Sequence, residues 1–245
     1  MMEKVLDGYL KELKLPSIRE WYRDMAKEAK RENMGYEEYL LALVEKEREE
    51  RGARRVEKML KNSKLPLEKK FESFERGRLP QKVNAQIDVL ADGSFCDRKE
   101  NVLAFGNPGS GKTHLLCAIG QELIYKGRKV LFKSCNFLVQ DLLRAKKELK
   151  LARSLKKLAK YDALIIDDIG YVQQNREEME VLFALISDRY ERSSIMLTSN
   201  LPFSGWESIF KSPMTTAAAI DRLVHHSIIL ELNIPSYRLE HAKKG

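Results

Sequence analysis

Little in this sequence of 245 residues points to export or to a membrane. Its longest apolar runs, such as Ala163 to Ile166, fall far short of the roughly 20 residues that a bilayer-spanning helix needs. The N-terminus alternates charged with apolar residues and shows neither the apolar core nor the small-residue cleavage site of a secretion signal, so a cytoplasmic chain with no membrane contact is expected. Only three cysteines occur, Cys96, Cys117 and Cys135, and no Cys-x-x-Cys or Cys/His pairing accompanies them. That spacing suggests neither a disulfide framework nor a zinc site, and the thiols are read as reduced and mostly buried. No internal repeat or low-complexity stretch is visible.

What is present is a chain with 43% hydrophobic residues, enough for a real core. Lys plus Arg number 44 against 36 Asp plus Glu, a balance of +8 that favours a polyanionic partner. The charge is uneven. Residues 1–80 carry 20 basic and 17 acidic side chains, whereas residues 126–160 carry 12 basic ones against Asp141 and Glu148 alone, net +10.

The first 80 residues read as helical. Leu6, Leu10 and Leu13 recur at helical spacing, Pro16 interrupts, and Ile18 to Lys30 resumes with Trp21, Tyr22 and Met25 on one side. After Gly35 a third helix starts near Tyr36, aligns Tyr39, Leu40, Leu43 and Val44, and runs to about Lys61 unless Gly52 breaks it. This stripe is too thin for an independent core, so residues 1–65 are expected to form a helical domain for partner binding or self-association. Residues 66–98 are read as a linker and entry to the core, and 99–245 as the core domain. There, β-rich runs at Val102 to Phe105, Val130 to Lys133, Ala163 to Asp167, Ile195 to Thr198 and Ile228 to Leu232 alternate with helices at His114 to Lys126, Phe137 to Lys150 with a second piece to Lys160, Glu177 to Arg192, and Thr215 to His226. Such alternation predicts an α/β fold, a five-stranded parallel sheet flanked by helices.

The strongest motif is Gly106 to Thr113, which fits G-x-x-x-x-G-K-S/T between a predicted strand and a predicted helix. Glycines at 106, 109 and 111 let successive N–H groups point inward, and the helix start adds partial positive charge, which suits a polyphosphate. The nucleotide-contacting set is Gly106, Asn107, Pro108, Gly109, Ser110, Gly111, Lys112 and Thr113, with His114 beside it chiefly as a helix residue. Lys112 is expected to reach the β- and γ-phosphates and Thr113 to ligate Mg²⁺. Farther on, Ala163 to Ile166 leads into Asp167 and Asp168. Two acids at a strand's C-terminal end are costly beside a core unless a cation or water uses them. Asp167 is assigned to Mg²⁺, directly or through water, and Asp168 to the attacking water. Asn200 closes a strand ending in Thr198 and Ser199 and either holds that water or merely forms a turn. Arg222 is either a helix-surface arginine or a guanidinium donated to a neighbouring subunit's transition state.

In the basic segment, Lys133, Arg144, Lys146, Lys147, Lys150, Arg153, Lys156 and Lys157 are the candidate DNA contacts. Like charges at this density repel unless phosphates neutralise them. Aromatic residues nearby are few, only Phe132, Phe137 and Tyr161, so duplex backbone binding fits better than base stacking.

Taken together, the loop at Gly106 to Thr113, Asp167 with Asp168, Asn200 and Arg222 resemble the Walker A, Walker B, sensor I and arginine finger of AAA+ ATPases. More narrowly, ELKLPSIREWY, GNPGSGKTHL, ALIIDDIGY, LTSNLPFSGW, AIDRLVHHS and SYRLEHA are similar to the IstB-like transposition helper ATPases of bacterial insertion sequences, relatives of DnaC-like and DnaI-like helicase loaders and of DnaA. The resemblance implies an ATP- and Mg²⁺-dependent, nucleoid-associated regulator that oligomerises on double-stranded DNA and recruits and stimulates a transposase. It departs from many AAA+ proteins in having Asp168 where a Glu is usual, and it leaves no room for the helical lid in the 23 residues after Arg222. Arg238 is a candidate sensor II residue. The alternatives are a helicase loader acting on single-stranded DNA, and a small-molecule kinase, which gives no reason for the basic segment.

Overall fold

The computed structural model describes residues 2–171, 175–210 and 212–242, with the backbone alone at 171, 238, 241 and 242. The chain divides into two compact units, Met1–Lys58 and Met59–Gly245.

In the first unit, α1 (Met2–Glu12) and α2 (Pro16–Glu32) precede α3 (Tyr36–Ser63). Pro16 starts α2 because its fixed φ suits the first helical position and it has no N–H to leave unpaired there. Asn33 ends the helix in the left-handed region. Leu10, Tyr22 and Leu43 form a small core with Leu15, Ile18, Met25 and Tyr39 packed on it. Of the expected stripe on α3, Leu43 is buried and Tyr39 half-buried, while Leu40 and Val44 face solvent. The buried line runs 39, 43, 47, one residue per helical turn, and it ends on a carboxylate, that of Glu47. Gly52 does not break α3. Its cost of about 1 kcal/mol is offset by the i,i+4 pairs Glu47–Arg51, just before it, and Glu50–Arg54, which spans it.

In the second unit, α4 (Gln81–Asp92) and α5 (Ser94–Asp97) lead into β1 (Asn101–Gly106), followed by α6 (Lys112–Tyr125), β2 (Val130–Ser134), α7 (Cys135–Lys147), α8 (Leu151–Leu158) and β3 (Ala163–Asp167). Then come α9 (Arg176–Arg189), β4 (Ser194–Ser199), α10 (Glu207–Phe210), α11 (Pro213–Val224), β5 (Ser227–Leu232) and α12 (Tyr237–Ala242). The five strands form one parallel sheet in the order β2-β3-β4-β1-β5. Leu164 and Ile166 pack among α7, α9 and α11, while Ile165 meets Gly120 of α6 on the other face. A sheet covered on both faces requires strands that read as continuous apolar runs, as β3 and β4 do. All three cysteines are buried. Among the described residues no helix is long and apolar enough to cross a membrane.

The strand order matters for function. Because β4 lies between β1 and β3, the ends of these three strands sit side by side at the C-terminal edge of the sheet. Ligands of open α/β sheets gather at that edge.

Candidate functional site

The loop after β1 curls through positive φ at Gly106, Gly109 and Gly111. A Cβ on Gly106 would fall 2.3 Å from the carbonyl oxygen of Leu232, so only glycine fits there. Lys112 is buried, and its Nζ donates to the carbonyls of Gly106 (2.8 Å) and Asn107 (2.9 Å), folding the side chain back over the loop. Ser110 Oγ is buried and has no hydrogen-bond partner among the described residues. An orphaned polar atom in a glycine-lined cradle is what a bound oxyanion would satisfy.

The motif residues from β3 and β4 converge beside this loop. Thr113 Oγ1 donates to Asp167 Oδ1 at 2.8 Å, and Thr198 Oγ1 donates to the same oxygen at 2.7 Å. Thr198 Oγ1 also accepts the N–H of Asp168 at 2.8 Å. That bond holds Asp168 at φ +67, a left-handed conformation that aspartate tolerates better than most residues. Asn200 Nδ2 donates to Asp168 Oδ1 at 3.1 Å. A threonine hydroxyl and a carboxylate in contact form the hard oxygen donor set that Mg²⁺ takes, so the residues fit that ion.

Beneath the loop, burial pushes the Cys117 thiol up to about 12, and desolvation likewise raises Cys96, to about 11. Both are packing residues without nucleophilic character.

The two remaining groups of sequence candidates lie elsewhere. The Asn101 side chain, at the first residue of β1, donates to the Leu223 carbonyl at 3.0 Å, which places the end of α11 at the N-terminal edge of the sheet. The strand between that edge and the loop has six residues, a length of about 20 Å at ~3.3 Å per residue. Arg222 therefore does not join the phosphate loop of its own chain. Its Nη1 donates to the Ala218 carbonyl, and its guanidinium lies 5.0 Å from the Phe183 ring centroid. Of the basic residues, Lys133 pairs with Asp141, Lys146 with Glu180 and Lys150 with Glu148. Arg144, Lys147, Arg153, Lys156 and Lys157 are exposed. On α8 the leucines at 151, 155 and 158 pack on the core and turn Arg153, Lys156 and Lys157 outward. The Arg238 side chain, the sensor II candidate, lies outside the described residues.

Sequence reasoning missed one wall of the site. A cavity of about 270 Å³ beside the loop is lined by Phe74, Arg78, Ile234 and Tyr237 together with Gly109 to His114. His114 faces this wall: its Nε2 lies 2.9 Å from the Lys70 carbonyl and its ring meets Phe74 edge-on at 5.1 Å. The backbone N–H of Tyr237 donates to the Gly109 carbonyl at 3.0 Å, and Arg78 ties to the Pro235 carbonyl and to Glu240. No motif marks Phe74 or Arg78. Thr198 was visible at a strand end, but nothing in its type announces a bond to Asp167.

Known proteins are similar to this chain in sequence and in fold. The chain is 45% identical over 237 residues to an insertion-sequence ATP-binding protein of Sinorhizobium fredii, covering 96% of this chain and 80% of that one. It is 40% identical over 238 residues to the ATP-binding protein of insertion sequence IS5376 from Geobacillus stearothermophilus, covering 97% and 95%. Among solved structures, the DnaC helicase loader superposes with a TM-score of 0.54 at 21% identity, covering 63% of this chain and 89% of that one, a likeness of fold. The family of IstB-like ATP binding proteins matches residues 8–245, the whole of the core and nearly all of the helical region. A match of that extent, on a sheet whose loop and carboxylates meet as the motifs require, means that the chain belongs to the IstB-like ATP binding protein family.

Proposed function

We propose that this protein is a Mg²⁺-dependent ATPase that assembles on double-stranded DNA and recruits a transposase. The observation that carries the reading is the meeting of Thr113, Asp167, Asp168 and Asn200 through direct hydrogen bonds beside the phosphate loop. Lys112 exchanges the two loop carbonyls for the β- and γ-phosphates, and the inward N–H groups of the loop take the remaining charge. Thr113 and Asp167 would hold Mg²⁺, and the ion would supply neutralisation of the charge that develops on the phosphates. Asp168, fixed by Thr198 and Asn200, orients the attacking water. Arg222 sits at the edge opposite the loop, so it serves the site of another copy. A residue at one edge that completes a site at the other defines a head-to-tail interface, which generates a ring or a filament.

DNA binding draws support from the exposed cations of α7 and α8, and the transposase from the insertion-sequence proteins to which the chain is similar. Light scattering after size exclusion, with ATP and duplex DNA added separately and together, tests the assembly. A chain that stays monomeric in every case refutes it. Co-elution with a transposase supports the partner, whereas stimulation by single-stranded DNA and capture of a replicative helicase favour a helicase loader.

A further inference from the structure

Away from the phosphate site, one group of side chains has the composition of a metal site. Glu191, His225 and His226 each offer a ligand atom, and these atoms lie within 4.8 Å of one another. Cysteine spacing suggests no zinc site in this chain, and these residues escape sequence patterns because 34 positions separate Glu191 from His225. The fold brings them together at the N-terminal edge of the sheet, where the turn after α9 lies beside the turn between α11 and β5.

Three observations go beyond proximity. His225 Nδ1 lies 3.0 Å from the hydroxyl of Tyr190, the arrangement by which an outer partner fixes the tautomer of a metal-binding imidazole; in the tautomer whose Nδ1–H donates to that hydroxyl, Nε2 is the ring nitrogen left to ligate. Glu191 follows the C-cap of α9 at φ +57, where glycine is the usual residue, so the chain carries a carboxylate at a position that backbone preference disfavours. The backbone at His226 is anchored, because its carbonyl accepts the Asn101 N–H at 2.7 Å.

We propose that Glu191, His225 and His226 form a Zn²⁺ site, two imidazoles and one carboxylate with the fourth position open to water. Tetrahedral zinc with bonds of about 2.0–2.1 Å sets its ligand atoms roughly 3.4 Å apart, a distance that exposed side chains reach by rotamer adjustment. Imidazole donors select a transition metal over Mg²⁺ or Ca²⁺. The ion ties the end of α9 to the turn that begins three residues after Arg222, and Arg222 already stacks on Phe183 of α9. Zinc would thus stiffen the pair of helices that presents Arg222, although the site itself does not depend on the function proposed above.

The test is calorimetric titration of Zn²⁺ into the untagged, chelator-stripped full chain, with Co²⁺ as a spectroscopic probe. The expected result is one ion per chain and the intense visible absorption of four-coordinate Co²⁺. Glu191→Gln and His226→Ala are each expected to weaken binding at least tenfold, and Tyr190→Phe about tenfold through removal of the outer partner. Circular dichroism of Glu191→Gln, an exposed and nearly isosteric change, separates ligand loss from misfolding. Absence of stoichiometric binding in the unsubstituted chain, or full affinity in a His225→Ala/His226→Ala double variant, overturns the proposal.

Discussion

Thr113 Oγ1 and Asp167 Oδ1 stand 2.8 Å apart, joining the first turn of α6 to the end of β3. A hydroxyl donating directly to a carboxylate occupies the place where both would instead turn to a shared cation. Asp167→Ala and Thr113→Ala are therefore expected to abolish the gain in nucleotide affinity that Mg²⁺ confers, and to lower hydrolysis by about 10³-fold or more. Titration of a fluorescent ATP analogue with and without Mg²⁺ reads this. An unchanged Mg²⁺ dependence in both variants would mean that the pair has only a structural role.

Asp168 is held from two sides, by Thr198 at its N–H and by Asn200 at its carboxylate. Replacing it with asparagine keeps the shape and removes the charge that polarises water. Asp168→Asn should retain ATP affinity within about threefold while kcat falls about 10²–10⁴-fold, the span general-base removal produces. Asn200→Ala should fall between this variant and the unsubstituted protein. Equal loss of binding and turnover in Asp168→Asn would place the residue in ground-state binding instead.

Most of this site was legible because it is local. Gly106 to Thr113 forms one contiguous motif, and the apolar run before Asp167 announces a buried strand with acids at its tip. All five expected strands form, each within one residue of its expected limits; the signal is clearest in β3 and β4, which are buried along nearly their whole length and read as continuous apolar runs. The basic helix expected to continue to Lys150 instead stops at Lys147, and Leu149 at φ +57 makes the turn into α8. That stop is set by Leu151, Leu155 and Leu158 reaching the core, a tertiary demand that helical periodicity alone does not reveal. The wall of Phe74, Arg78 and Tyr237 was invisible for a similar reason. It joins segments about 160 residues apart, and a lone aromatic or arginine has no spacing to betray it.

The close approach of Gly109 to Ser236 offers a way to probe that wall. A Cβ at Gly109 would lie 2.1 Å from Ser236 Oγ, in a backbone at φ +79. Gly109→Ala thus has to push the segment at 234–237 away, beyond a left-handed penalty of roughly 1–2 kcal/mol. We expect about tenfold weaker ATP binding and faster proteolysis near the C-terminus. Adding Ser236→Gly should restore part of both, because it removes the nearest obstacle but leaves the backbone strain. Additive losses in the double variant would show that the segment does not bear on the loop.

The outward cations of α8 make a different test. If Arg153, Lys156 and Lys157 meet duplex phosphates, neutralising any one of them should reduce the slope of log affinity against log salt by about 0.9. Lys156→Gln/Lys157→Gln is expected to lower that slope by nearly 2, with ATP hydrolysis in the absence of DNA unchanged. Fluorescence anisotropy between about 50 and 200 mM salt measures it. Affinity indifferent to salt, or a slope unmoved by the double variant, would remove α8 from the DNA surface.

The helical unit carries a pH dependence of its own, centred on Glu47. Burial alone would raise its pKa, but the N–H of Ile18, the guanidinium of Arg51 and the N–H of Ser17 together outweigh burial and hold it below the ordinary glutamate range. The carboxylate of α3 in this way caps the first N–H groups of α2, which have no partner within the helix, with Glu47 Oε2 at 2.8 Å from Ser17 N and 3.2 Å from Ile18 N. A folded pKa below the unfolded one means that the stabilisation is complete above the unfolded value and is lost as pH falls through the folded one. Glu47→Gln should cost about 2 kcal/mol at neutral pH and much less once the carboxylate of the unsubstituted chain is protonated. Hydrogen exchange at the Ser17 and Ile18 amides of the full chain, followed from neutral pH downward until the Glu47 carboxylate is protonated and corrected for intrinsic rates, distinguishes the cases. The gap between the two chains must close as the solution is acidified; a gap that persists would show that Glu47 acts through packing, since shape survives protonation and charge does not.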